Sequence, residues 1–156
     1  MDCVYQNRRS IAYSDAGKTL PMHCTSCGKA MLSYMTEDEV RAVIDRWGMA
    51  ASTGHTITEP DKLIEELRVS RERGYAVDNE EESVGVRCVA AAVRTSSGKV
   101  AGAVSVSGSA VHMTDDRVEQ YSRLLINAAA ELMPYAGLFP AIQLAESGGD
   151  KHTDHR

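Results

Sequence analysis

Apolar positions along this chain change their period near residue 75. Upstream they recur every three or four residues, the spacing of one helix face, and from there to about residue 107 they alternate, the spacing of one strand face. Thr25 or Ser26 can N-cap a first helix carrying Ala30, Met31 and Leu32 toward Met35. Thr36 and Glu39 have the capping-box spacing, which opens a second helix with Val40, Val43 and Ile44 inward. After a break at Thr53-Gly54, Pro60 suits the first turn of a third helix. Leu63, Ile64 and Leu67 share a face of it, and Gly74 ends it. Tyr75-Ala76-Val77 then starts the strands. Val86–Ala90 and Val100–Ser107 are rich in β-branched residues, and the Ser96-Ser97-Gly98-Lys99 turn between them predicts an antiparallel hairpin. Thr114-Asp115-Asp116 opens a last helix with an apolar stripe of Val118, Tyr121, Leu124, Leu125 and Ala128, stopped by Pro134 and Gly137. Val4-Tyr5 and Ile11-Ala12-Tyr13 read as two short strands around a polar turn.

These elements make one α+β unit without repeats. With 156 residues, 43% of them hydrophobic, the chain can bury one substantial core but not two of ordinary size. The formal charge of −5 and the scattered arginines argue against binding a phosphate backbone. No apolar stretch approaches a membrane span and the N-terminus lacks a signal core, so the expected location is cytoplasmic, with no membrane partner. Cys3, Cys24, Cys27 and Cys88 have no framework spacing and are expected as free thiols. The tail over residues 145–156 has the composition of a disordered segment.

Strand alternation groups the chemistry. Val86, Cys88 and Ala90 share one face of their strand, and Ser105 and Ser107 share one face of the next. With the hairpin in register, Cys88, Ser105 and Ser107 line one surface and Asp78 reaches its rim. Hydroxyls donate to a carboxylate, and the first N–H groups of a helix at Ser26, Cys27 and Gly28 add partial positive charge. An ionised Asp78 requires a donor from the ligand. A small hydroxy or keto acid meets both demands. Taken singly, each residue has a plainer role: Cys88 as a small core residue, Ser105 and Ser107 as the solvent side of a half-buried strand, and Glu80-Glu81-Glu82 as a solvated loop.

Three motifs in order add a family resemblance. Gly74-Tyr75 through Asp78, Glu80-Glu81, Gly85, Arg87-Cys88 and Ala90, together with Leu20–Ala30 and Ala103–Gly108, resemble the effector domain of the IclR family of bacterial transcriptional regulators. The likeness covers roughly residues 18 to 137. It implies a GAF-like fold, an antiparallel β-sheet flanked by α-helices, over residues 1–144, with no catalytic role and no cofactor or metal. The ligand would be held by main-chain groups of Ser26 and Cys27, by Asp78, Cys88, Ser105 and Ser107, and by an apolar wall including Leu20 and Val86. It further implies self-association to a dimer or tetramer, and DNA contact only through a winged helix-turn-helix that this chain is expected to lack. The last helix and the helix around Leu63 to Leu67 are the expected self-association face. Family members often carry Gly or Ala where this chain has Ser26 and Cys27, which changes the pocket here.

A different function would use the thiols. Cys24-x-x-Cys27 with Cys88 could serve a GAF-like thiol enzyme or a zinc or redox module. Structural zinc needs four ligands, however, and the sequence offers no second cysteine pair.

Overall fold

The computed structural model describes residues 19–138; the predicted strands around residues 4–13 and the tail from 145 lie outside that range. Helices α1 (Ser26–Leu32), α2 (Glu37–Trp47) and α3 (Pro60–Arg73) precede strands β1 (Ala76–Asn79), β2 (Val86–Arg94) and β3 (Val100–Ser109). Helix α4 (Asp115–Leu132) follows and tightens into a 3-10 turn over Met133–Leu138 that contains Pro134 and Gly137. The strands form one antiparallel sheet in the order β1-β2-β3.

Local signals set most boundaries. Thr25 Oγ1 accepts from the Gly28 N–H at the start of α1. Thr36 and Glu39 close the predicted capping box of α2, Pro60 opens α3, and Gly74, at φ 83°, ends it in the left-handed region that favours glycine. The hairpin turn likewise places Gly98 at φ 86°.

The sheet separates two layers. Val89, Ala91 and Val93 of β2 point toward α4 and pack with Val118, Leu125, Ala129 and Met113. Ala76 and Ala90, on the opposite face, pack against Ala30 of α1, with Cys27, Ala92 and Ala103 alongside. Leu32, Val40, Val43, Leu63 and Leu67 tie α1 to α2 and α3.

One expectation needs correction. Leu63 and Leu67 are core residues, 0% and 4% exposed, so they offer no self-association surface. Their burial satisfies the apolar stripe of α3 within the chain. On α4 the buried line is Val118, Ser122, Leu125 and Ala129. Leu124, which belongs to the apolar stripe read from the sequence, is 59% exposed, because one step along a helix turns the side chain by about 100°.

Candidate functional site

The small-residue face beneath α1 gathers most of the residues singled out by alternation. Asp78 on β1 pairs with Cys88 on β2, and Cys88 with Ser107 on β3, so the three form one row across the sheet. In the next row stand Ala76, Ala90 and Ser105. Only small side chains occupy these rows, so α1 can lie close to the sheet. Gly28 extends the same close packing to the entering chain: a Cβ there would stand 2.3 Å from the Met22 carbonyl oxygen.

Exposure is graded along the first row. Asp78 is 3% exposed and Cys88 9%, whereas Ser107 is open to solvent. The row is closed at its acidic end and open at its hydroxyl end. Burial raises the Asp78 pKa to about 6, although the Glu81 and Glu82 N–H groups both donate to its carboxylate. Burial also pushes the Cys88 thiol up to about 12 despite its hydrogen bond with Ser107, and Asp78 acts in the same upward direction. Cys27, half-buried in α1, hydrogen-bonds Ser105 and is likewise raised by burial.

The remaining predicted residues are less closely gathered. Ser26 is the buried first residue of α1. The Gly28 N–H is committed to Thr25 Oγ1, which narrows the proposed helix-start donors to Ser26 and Cys27. Val86 shares the Cys88 face one row further out, opposite Ser109. Leu20 is half-buried ahead of α1, and no contact places it against the row. Two open clefts lie elsewhere on the surface. One, ≈ 520 Å³, runs between Tyr75, Val77 and α4, and the other, ≈ 390 Å³, lies along Asp116 to Leu124. Neither is lined by a predicted site residue.

The acidic run is not the solvated loop expected from its composition. Glu81 is 6% exposed and accepts a 2.5 Å hydrogen bond from Nζ of Lys29, itself 1% exposed. Thr53 Oγ1 donates to the Glu80 carbonyl and Thr56 Oγ1 to that of Glu81, which fastens the 52–56 loop to this turn. A buried carboxylate requires a partner, and the partner here lies 52 residues away. No local pattern signals it. The sequence clue was a lysine embedded among small and apolar residues in α1.

Thiol chemistry finds little support in this arrangement. Cys24 is buried 3.9 Å from the Ser52 hydroxyl, and burial raises its pKa. A nucleophilic or metal-binding cysteine needs the opposite shift. Among the described residues, no three His, Cys, Asp or Glu side chains converge to hold a metal, and no helix is long and apolar enough to cross a membrane.

A family model described as the bacterial transcriptional regulator IclR, C-terminal, matches residues 2–133. The chain belongs to the IclR family. The transcriptional repressor IclR of Escherichia coli K12 is 36% identical over 139 residues, 88% of this chain and 50% of that protein. The chain thus spans about half the length of the curated relatives it matches. Among solved structures, the Thermotoga maritima IclR superposes with a TM-score of 0.82 at 33% identity, over 87% of this chain and 55% of that one. The inducer-binding domain of the Acinetobacter PobR transcription factor, a double mutant in complex with 3-hydroxybenzoic acid, gives 0.75 at 29% identity, over 82% of this chain and 74% of that one. These likenesses identify the α1-covered sheet as an IclR-type C-terminal domain with a GAF-like α+β fold.

Proposed function

We propose that this domain senses a small carboxylated metabolite, a keto or hydroxy acid, and that occupancy modulates DNA binding by an attached winged helix-turn-helix in a cytoplasmic, self-associating regulator. The observation that carries the reading is the row of Asp78, Cys88 and Ser107, closed at a buried carboxylate and open at a hydroxyl. Ser105, Ser107 and the Ser26 and Cys27 N–H groups are donors for the ligand carboxylate. Asp78 accepts from its hydroxyl or hydrate, and Cys88, Val86 and Leu20 form the less polar wall. A ligand of this kind shifts the regulator only through different affinities for its two assembly states. The 3-hydroxybenzoic acid bound by the PobR domain, an aromatic hydroxy acid, has both the carboxylate and the hydroxyl that this arrangement requires.

A thermal-shift screen against glyoxylate, pyruvate, sugar acids and aromatic acids tests the reading, with Asp78→Ala and Ser105→Ala/Ser107→Ala as controls. At a hundredfold excess over its Kd, a ligand adds about 2.7 kcal/mol, several degrees for a domain of this size. The expected result is a saturable shift lost in both controls. A shift retained in both would place binding elsewhere, and no shift with any acid would remove the carboxylate assignment.

A further inference from the structure

Helix α4 lies mainly over β2 and β3, which leaves the β1 side of the same sheet face open. The opening is the ≈ 520 Å³ cleft, a volume within the range of small-molecule sites. Apolar side chains line it from both walls: Val77 on β1 is half-buried, Val118 on α4 is buried, and Ile126 lies at the end nearest Gly74. At the other end, beside the start of α4, stands Arg87. Its side chain is only 18% exposed and is held in place, with Nη1 donating to the Met113 carbonyl and Nη2 to Asp115 Oδ1 at 2.6 Å. Nε is buried and makes no hydrogen bond among the described residues. A guanidinium holds a carboxylate best through two parallel N–H groups on two oxygens. On the Nε–Nη2 edge of Arg87 only half of that pairing is made, and the carboxylate that makes it is 91% exposed. The other cations of the cleft are engaged elsewhere: Arg123 pairs with Glu119, and Arg73 donates to Glu66, Ser70 and the Tyr75 carbonyl.

We infer that this cleft is a second ligand site, on the opposite face of the sheet from the Asp78 row, and that it takes a monocarboxylate with an apolar body. The ligand carboxylate spans Nε and Nη2 of Arg87, displacing the Asp115 side chain, and the hydrocarbon lies along Val77 and Val118 toward Ile126. The exchange favours the ligand. Asp115 is solvated, so its pairing with Arg87 contributes little and water receives it on release. The incoming anion satisfies the buried Nε as well, and it removes apolar surface from water, which Asp115 does not. The remaining chemistry sets the class. Glu119 and the displaced Asp115 repel a second negative charge, which disfavours a dicarboxylate. The Ser122 hydroxyl already donates to the Glu119 carbonyl, and no buried carboxylate lines this cleft as Asp78 does on the other face, so the ligand needs no hydroxyl or keto oxygen. The inference is therefore independent of what binds at the Asp78 row.

Titrating sodium hexanoate into the 156-residue chain, followed by NMR with labelled valine and isoleucine methyls and labelled arginine Nε, tests the site. Hexanoate has the carboxylate and the apolar body but no second oxygen function. The Val77, Val118 and Ile126 methyls should shift saturably, the Arg87 Nε–H resonance should move downfield as that donor gains a partner, and hexan-1-ol should do neither. Arg87→Lys keeps the charge without the fork and should weaken binding about tenfold or more. Asp115→Ala removes the competing carboxylate and should tighten it several-fold. The Nε–H signal of the wild type and the Asp115→Ala affinity decide the matter even if Arg87→Lys does not fold. Hexanoate that causes no saturable shift, or shifts confined to the Ser105 and Ser107 strand, would overturn the inference. So would an unmoved Arg87 Nε–H, a folded Arg87→Lys that binds as the wild type does, or an Asp115→Ala that binds no tighter.

Discussion

Asp78 is a carboxylate that folding shifts toward its protonated form. Its pKa rises from 3.8 to about 6, chiefly through burial. Between those values the folded chain holds a proton that the unfolded chain has released, so stability falls as pH rises through this window and levels off above it. Asp78→Asn keeps an oxygen for the Glu81 and Glu82 N–H groups but cannot ionise. Thermal melts of both proteins from pH 4 to 7 should show the variant with the flatter profile; parallel profiles would mean that another group sets the slope. Lys29 and Glu81 form the other costly pair. Lys29→Met leaves the Glu81 carboxylate buried and unpaired, an expected loss of about 3–5 kcal/mol, with much of it regained in Lys29→Met/Glu81→Gln. Urea denaturation measures this, and a single-variant loss below about 1 kcal/mol would show that water reaches Glu81. The row of Asp78, Cys88 and Ser107 was legible in the sequence because strand alternation and a short turn fix which residues share a face. The Lys29–Glu81 pair was not, because its partners meet only when α1 closes over the sheet.

At the scale of elements, legibility follows the range of the signal. The capping box of α2, Pro60, Gly74 and the Gly98 turn each act within a few residues, and each stands where its chemistry requires. The face of α4 could not be read this way. Leu124 and Leu125 are equally apolar and adjacent in sequence, and only the docked sheet decides that Leu125 is buried and Leu124 exposed. Gly28 gives the sharpest test of how closely α1 and the chain that precedes it are packed. On an exposed helix, Gly→Ala stabilises by up to about 1 kcal/mol through propensity. At residue 28 the added Cβ meets the backbone of Met22 at 2.3 Å, so Gly28→Ala should instead destabilise, by about 1–3 kcal/mol as overpacking does. A stabilised variant in chemical denaturation would show that the Met22 segment yields freely and that α1 is not clamped from this side.

For the molecule as a whole, sensing requires that occupancy on one face of the sheet be felt on the other. Cys88 and Ala90 face α1, and Val89, Ala91 and Val93, from the same strand, face α4. No residue of β2 is therefore more than one peptide from both layers, and the core contacts of α4 depend on the strand that carries the thiol of the candidate site. If sheet and α4 unfold as one cooperative unit, a ligand bound only to the folded state slows hydrogen exchange equally in both. Amides that exchange through global unfolding slow by a factor of 1 + [L]/Kd, about hundredfold at a hundredfold excess. The expected pattern, with whichever acid the thermal screen finds, is equal slowing at Val89–Val93 and at Val118–Ala129, with little change in the exposed 96–99 turn, which opens locally. Strong slowing in β2 without slowing in α4 would mean that the helix detaches independently of the strand beneath it. The last helix could then not report occupancy to a second copy, and a relay would have to run through α1 and the Lys29–Glu81 turn instead.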